Sequence, residues 1–255
     1  MPRYRITIEY DGTPFVGWQM QVNGPSVQAS LAEAILRFTK EPVQIQGAGR
    51  TDTGVHARGQ TAHFDLVHPW PPDKIRDAAN YHLRPLPIAI IECTYASDTF
   101  DARFSATARH YLYRILQRRA PAVLECRRVW QVPVHLDAAR MQEAAAMLVG
   151  RFDFTTFRAA GCQAKSPLRT LDRLDVAETG GEIHIHACAR AFLHNQVRSM
   201  VGCLKAVGEG RWSLQDFIEA RDARDRRRCA AVAPAHGLYL MAVDYPVGAS
   251  ETLKI

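Results

Sequence analysis

Residues Gly47 to Gln60, reading GAGRTDTGVHARGQ, hold a lone carboxylate, Asp52, two positions after an arginine, Arg50, and among three glycines, Gly47, Gly49 and Gly54. Glycine lacks a Cβ, so it permits positive φ and lets a second backbone or a ligand come close. A short apolar alternation, Val43 and Ile45, leads into this stretch, and a second, Ala62, Phe64 and Leu66, leads out. The block therefore reads as a tight loop between two strands. Two tasks suit an acid on such a loop. It can be a catalytic carboxylate held against a substrate, or it can hydrogen-bond its own turn while Arg50 is a surface charge.

The chain must supply whatever positions that acid. At 255 residues it can form one large domain or two small ones, and 47% hydrophobic residues are ample for a core. The longest apolar runs, such as Ile88 to Ile91, are too short to span a bilayer. The start MPRYRITIEY has no apolar signal core, so a cytoplasmic protein with no membrane association is expected. The six cysteines at 93, 126, 162, 188, 203 and 229 form no C-x-x-C pair and read as buried or incidental thiols. The histidines show no H-E-x-x-H; His184 and His186 can share a strand face, but no metal is expected. Gly47-Ala48-Gly49 is not followed by the spacing of a dinucleotide site, and no P-loop Lys-Ser/Thr is present. The expected cofactor set is none.

Formal charge is +6, and it is unevenly placed. Residues 1–105 carry a slight acidic excess, so the positive surplus lies in 106–255. That half includes Arg114, Arg118, Arg119, Arg127, Arg128 and the cluster Arg221, Arg224, Arg226, Arg227, Arg228. Arginine outnumbers lysine and suits bidentate phosphate contacts and stacking on bases, which is the footprint of a polyanion-binding surface. Asp222 and Asp225 are interleaved with the last cluster, so a solvated, self-paired helix face is an equal reading there.

The periodicities place these residues. Arg3 to Tyr10 alternates as a strand. Ser26 caps a helix with Val27, Leu31, Ala34, Ile35 and Phe38 inward. A strand over 43–46, the loop, and a strand over 60–66 follow. Asp73 opens a helix to about His82, and Ile88 to Ala96 is a strand. That order is the split βαβ, ferredoxin-like pattern. The second half repeats it: strands over 107–117 and 128–132, a helix capped by Asp137 and ended by Gly150, a hairpin of 169–178 with 182–189, a helix over 195–207, one capped by Ser213, and a closing strand over 238–244. The expected fold class is α+β: two ferredoxin-like subdomains, 1–105 with the Asp52 loop and 106–255 with the basic surplus, forming one extended antiparallel sheet with helices on one side and a central cleft.

Taken whole, GRTDTGVHA resembles the active-site motif of the tRNA pseudouridine synthase A family, with Thr53 where many relatives carry Ala. IEYDGTPFVGWQ (8–19), FDARFSATARHYLY (100–113), FRAAGCQAKSPLRT (157–170), FLHNQVRSMVG (192–202) and GLYLMAVDYP (237–246) are similar to further blocks of that family in the same order. The resemblance implies an isomerase that converts uridine to pseudouridine in the anticodon stem-loop of tRNA, at tRNA positions 38–40, working as a homodimer without a cofactor. It implies that Asp52 is the catalytic residue, that Tyr111 stacks on the target uracil, and that Arg198 pairs with Asp52. Arg50 is then placed to hold substrate phosphate or brace the flipped base, and the two arginine roles can be exchanged. Arg58, Arg103 and Arg109 are phosphate-contact candidates. On residue types alone Tyr111 reads first as a core tyrosine, since alternation puts it on one face with Tyr113 and Ile115, and the resemblance is what moves it to the site. Two other functions fit parts of the pattern: a catalytically silent RNA-binding module, and a mononucleotide-binding enzyme using the Gly-rich loop as a phosphate cradle.

Overall fold

The computed structural model describes residues 1–246. It is a mixed α/β structure with mostly antiparallel strands, and the chain divides into two compact units. Met1–Arg109 with residues 240–246 make one; His110–Tyr239 makes the other. Residues 247–255, the end of the expected second subdomain, lie outside the described residues.

The first unit is built on β1 (Arg3–Tyr10), where strict alternation buries Tyr4, Ile6, Ile8 and Tyr10. It lies between β4 (Ile88–Ala96) and β3 (His56–Asp65), both antiparallel. Tyr4 faces Phe64 across the pair with ring centroids 5.5 Å apart, so register and aromatic packing agree. The short β2 (Gln46–Gly47) pairs with β3, and the strand β11 (Leu238–Asp244) lies on the other side of β3. Gly59 makes that neighbour possible: a Cβ there would sit 2.4 Å from the Met241 carbonyl oxygen. This pairing is why residues 240–246 belong to the first unit, whereas chain order places them in 106–255.

Helices α1 (Val27–Thr39) and α2 (Pro72–Leu83) belong to the same unit. Ser26 caps α1 by accepting the Ala29 amide, and Val27, Leu31, Ala34 and Ile35 are buried. Each such aliphatic side chain contributes roughly 1.5–3 kcal/mol on burial. Phe38 instead packs edge-on to Trp70. Helix α2 starts at Pro72 rather than Asp73, because proline at the first position costs no hydrogen bond and presets φ.

In the second unit, β5 (Ala108–Gln117) is flanked by the parallel β6 (Trp130–Val132) and by β10 (Glu182–Ala189), which pairs with β9 (Arg173–Thr179) through the Gly180-Gly181 turn. Helices α3 (Ala138–Ala146), α4 (Gln196–Gly208) and α5 (Leu214–Asp222) complete it. Gly150 does not end α3. At φ +119 it opens β7 (Gly150–Asp153), which pairs with β8 (Leu168–Leu171) as a separate two-stranded sheet. The expected strand over 169–178 is thus split at Asp172. His184 and His186 share a face of β10, but His184 Nε2 meets the Glu182 carboxylate at 2.9 Å, and no metal-holding group exists among the described residues. No helix among them is long and apolar enough to cross a membrane.

One buried titratable group gives the first unit a pH signature. His63 on β3 is 3% exposed, and its Nδ1 accepts the Ala102 amide at 3.0 Å, which fixes the neutral Nε2–H tautomer. Burial lowers its pKa, with Arg3 adding to the shift and Asp101 and Asp65 opposing it. Below the ordinary value of 6.5 the unfolded chain therefore takes the proton before the folded one, and stability falls with pH in that window. The Asp65 carboxylate, lowered by its hydrogen bond to Arg3, loses stability only at more acidic pH. Thermal unfolding of wild type and His63→Gln between pH 7 and 5 should show a decline in wild type that the variant reduces.

Candidate active site

The Asp52 loop, residues 47–55, has almost no regular structure of its own, so its polar backbone must be satisfied from outside. Side chains and neighbouring turns do this. Ala48 donates to the Thr61 carbonyl at 2.7 Å. Gln60, fully buried on β3, donates its Nε2 to the Gly49 carbonyl at 2.8 Å. The Tyr10 and Thr51 hydroxyls are 2.8 Å apart. Trp18 donates its amide to the Thr51 carbonyl at 3.0 Å, and the Thr53 hydroxyl donates to the Val16 carbonyl at 3.0 Å. Within the loop, Val55 closes a turn onto the Asp52 carbonyl at 3.1 Å, with Gly54 at φ +78.

The segment after β1 acts as a strap over this loop. A Cβ at Gly12 would lie 2.0 Å from the Val55 carbonyl oxygen, and Gly17, at φ +111, would place one 2.6 Å from the Thr51 carbonyl oxygen. Only glycine fits such an approach. His56, 2% exposed, accepts the Gly12 amide on Nδ1 at 3.0 Å. With that lone pair taken, the 3.2 Å approach of Asp11 to the same nitrogen is proximity rather than a second hydrogen bond.

The candidate residues separate by exposure and by unit. Asp52 is half-buried, while Arg50 and Arg58 are exposed. Arg103 is exposed beside Phe104, its guanidinium 5.5 Å from the ring centroid. Arg109 is different. It is 8% exposed and donates to the Ala48 and Arg103 carbonyls, both at 2.7 Å. It clamps the Asp52 loop from below, so its geometry is that of a brace. These residues all belong to the first unit.

Tyr111 and Arg198 belong to the second. Tyr113 and Ile115 are fully buried on β5, whereas Tyr111, on the same face, is half-buried and meets Phe192 edge-on at 5.2 Å. Tyr113 donates its hydroxyl to the Pro234 carbonyl at 2.8 Å, and burial pushes its pKa well above 10. The core role considered for Tyr111 is thus filled by its neighbour two residues on. Arg198 lies in the first turn of α4, donating Nε to the Ala233 carbonyl at 2.8 Å and an Nη to Asn195 Oδ1 at 3.0 Å. Asn195 caps the helix in the left-handed region at φ 62, a conformation Asn tolerates better than most residues. The wider arginine surplus is partly spent internally. Arg114 forms a bidentate pair with Glu182, and Arg221 and Arg227 pair with Asp222 and Asp225. Arg224 and Arg228 are exposed.

A family model described as tRNA pseudouridine synthase matches residues 6–105 and 144–246, well over half of the chain. The chain belongs to the tRNA pseudouridine synthase family. It is 58% identical over 252 residues to a protein named tRNA pseudouridine synthase A from Azorhizobium caulinodans, covering 99% of this chain and 98% of that one. Proteins of the same name from Mesorhizobium japonicum and Maricaulis maris are 58% and 59% identical, each over 96% of this chain and 100% and 99% of theirs. A chain in a crystal structure of a Cbf5-Nop10-Gar1 complex matches at a TM-score of 0.35 and 12% identity, over 80% of this chain and 45% of that chain, a likeness too slight to carry an argument.

Within this synthase-family chain, residue types alone pointed to Asp52 and Arg50 but not to Gln60, Tyr10 or the strap at Gly12 and Gly17. Those act through the loop, and their only sequence signal is the pair of glycines flanking Phe15. The Arg109 brace is directly testable. Arg109→Met keeps the stem but strands two carbonyls, at roughly 1–3 kcal/mol for the buried group left unpaired. Chemical denaturation should show a loss of that order, and limited proteolysis should cut faster near residues 47–55.

Proposed function

We propose that this chain is a cofactor-independent isomerase that converts uridine to pseudouridine in the anticodon stem-loop of tRNA, with Asp52 as its catalytic carboxylate. The observation that carries the reading is a half-buried acid on a loop braced by at least five hydrogen bonds and two close glycine contacts, in a chain of the tRNA pseudouridine synthase family. A loop fixed so tightly presents one carboxylate at a defined place, which is what chemistry at an anomeric carbon needs and what a surface turn does not.

The reaction conserves every atom. The N1–C1′ bond breaks, the uracil turns over, C5 bonds to C1′, and a proton leaves C5 while one is taken up at N1. Positive charge develops on the ribose at C1′, and a carboxylate there stabilises it, as in glycoside chemistry. One acid suffices because the leaving base stays and returns. The uridine must first leave its stack. Tyr111 then offers a platform for the flipped uracil, its ring set by Phe192 at 5.2 Å. Arg198, held by the Ala233 carbonyl and Asn195 Oδ1, is the arginine this reading assigns as the partner of Asp52. Arg50, Arg58 and Arg103 are exposed and take phosphates of the stem, contacts whose strength falls with salt. Arg109 supports the loop beneath them. The enzyme works as a cytoplasmic homodimer, so that basic surfaces of two copies hold one tRNA.

Pseudouridine content of unmodified tRNA, read by carbodiimide-block primer extension after incubation with purified protein and no cofactor, tests the assignment. Wild type should produce pseudouridine in the anticodon arm; Asp52→Asn should produce none while binding tRNA nearly as tightly. Tight binding without turnover by wild type would move the chain to the binding-module reading. At Tyr111, stacking predicts that Phe is tolerated better than Ala; equal losses in single-turnover rate would instead assign the hydroxyl to proton transfer.

A further inference from the structure

Cys203 and Cys229 take no part in the reaction, yet they are the only described cysteines placed against each other, with Sγ atoms 3.6 Å apart. Cys203 is fully buried on α4, and Cys229 is part-exposed at the end of the 3-10 turn Arg226–Arg228. The Ala230 amide donates to Cys203 Sγ at 3.4 Å, so both thiols and the backbone just after Cys229 form one contact group.

The chain that follows Cys229 is laid tightly on α4. A Cβ at Gly202 would meet the Ala231 carbonyl oxygen at 2.0 Å. Ala233 donates its amide to the Arg198 carbonyl at 3.1 Å, and its own carbonyl accepts from Arg198 Nε at 2.8 Å. Residues 229–233 therefore link the part-exposed Cys229 thiol to the Arg198 guanidinium.

We propose that Cys203 and Cys229 form a reversible disulfide under peroxide, and that its closure shifts residues 229–233 along α4, displaces Arg198 and lowers turnover. The turnover part rests on the proposed role of Arg198; the thiol chemistry does not. The two sulfurs already touch, and a disulfide requires them to close by about 1.5 Å, to about 2 Å. The side chains cannot be spared movement, because Gly202 leaves no slack between the segment and the helix.

The reactivity is divided between the partners. Cys229 is pulled down by its contact with Cys203 and by Arg226, against its partial burial. Cys203 is pushed up by that same contact and by burial. Cys229, the more accessible of the two thiols and close to Arg226, is therefore the one assigned to react first. Its sulfur attacks a peroxide oxygen, the O–O bond breaks, hydroxide leaves, and a sulfenic acid remains. The Cys203 sulfur gives up its proton and attacks the sulfenic sulfur; the S–S bond forms, the S–O bond breaks, and water departs. Two thiols lose two electrons and peroxide gains them. A small dithiol reverses the link by exchange.

The test uses the full chain, reduced and then treated with hydrogen peroxide at neutral pH. Free thiols are blocked and non-reduced tryptic peptides are read by mass spectrometry, alongside pseudouridine formation. The expected result is a peptide joined through Cys203 and Cys229, formed before oxidation at Cys93, Cys126, Cys162 or Cys188, with turnover down on the order of tenfold through misplacement of Arg198. Dithiothreitol should restore both. Cys229→Ser and Cys229→Ala should keep the reduced-state rate and resist peroxide. Over-oxidation of Cys229 with no cross-link overturns the disulfide. A cross-linked protein of undiminished turnover overturns the switch. Should the reduced protein lack synthase activity, the function proposed above fails, and the cross-link still decides the thiol chemistry.

Discussion

A loop that carries a charge and has no ladder of its own must borrow its hydrogen bonds, and most of the first unit is arranged to lend them. Residues 47–55 draw hydrogen-bond partners from β3 through Gln60, from β1 through Tyr10, from the strap through Trp18, and from the start of β5 through Arg109. Each bond is worth about 1 kcal/mol net, but a carbonyl left buried and unpaired costs more than the bond contributes. The arrangement therefore resists partial loss. It also explains why glycines stand where the strap crosses: Gly12 and Gly17 bring backbone against backbone, where any Cβ would collide.

The same accounting sorts the arginines. A positive surplus read as a list of residues suggests a continuous basic surface. In the folded chain Arg3 grips Asp65 through two hydrogen bonds of 2.8 Å, Arg114 grips Glu182, and Arg109 is nearly enclosed. Arginine's planar fork suits such internal clamps as well as it suits phosphate. What is left for a polyanion is an exposed remainder that includes Arg50, Arg58 and Arg103 near the Asp52 loop, and Arg118, Arg119, Arg127, Arg128, Arg224 and Arg228 in the second unit. Exposure, not residue type, divides the groups.

Much of the fold was legible because the signals were local. Alternation in 3–10 and the Ser26, Asp137 and Ser213 caps each report a structure formed by neighbours in sequence. The misreadings have a common cause in long-range pairing. β3 begins at His56, before its apolar alternation, because its early residues are set by β1 and by the Gly59–Met241 approach. Gly150 looks like a helix stop and opens a strand, since β8 is there to pair with it. For the site, the motif named Asp52 directly, and Tyr111 and Arg198 came with the family resemblance. Gln60 has no periodic signature, because a buried glutamine on a strand looks like any other strand residue in sequence; its part in the loop rests on the Nε2 bond to the Gly49 carbonyl.

The N-terminus of α4 shows the same logic applied to a cation. A helix start favours anions, so an arginine in the first turn meets an unfavourable dipole. Here Asn195 occupies the cap in a left-handed conformation and makes no side-chain bond to the helix amides. Its Oδ1 accepts from Arg198 instead. The cap's capping capacity is diverted to hold the guanidinium, and the Ala233 carbonyl takes Nε from the other side. One backbone carbonyl and one side-chain oxygen set the plane of the fork, leaving its remaining donors oriented. A strained cap and a misplaced cation are each unfavourable alone; together they make sense as the means of aiming Arg198.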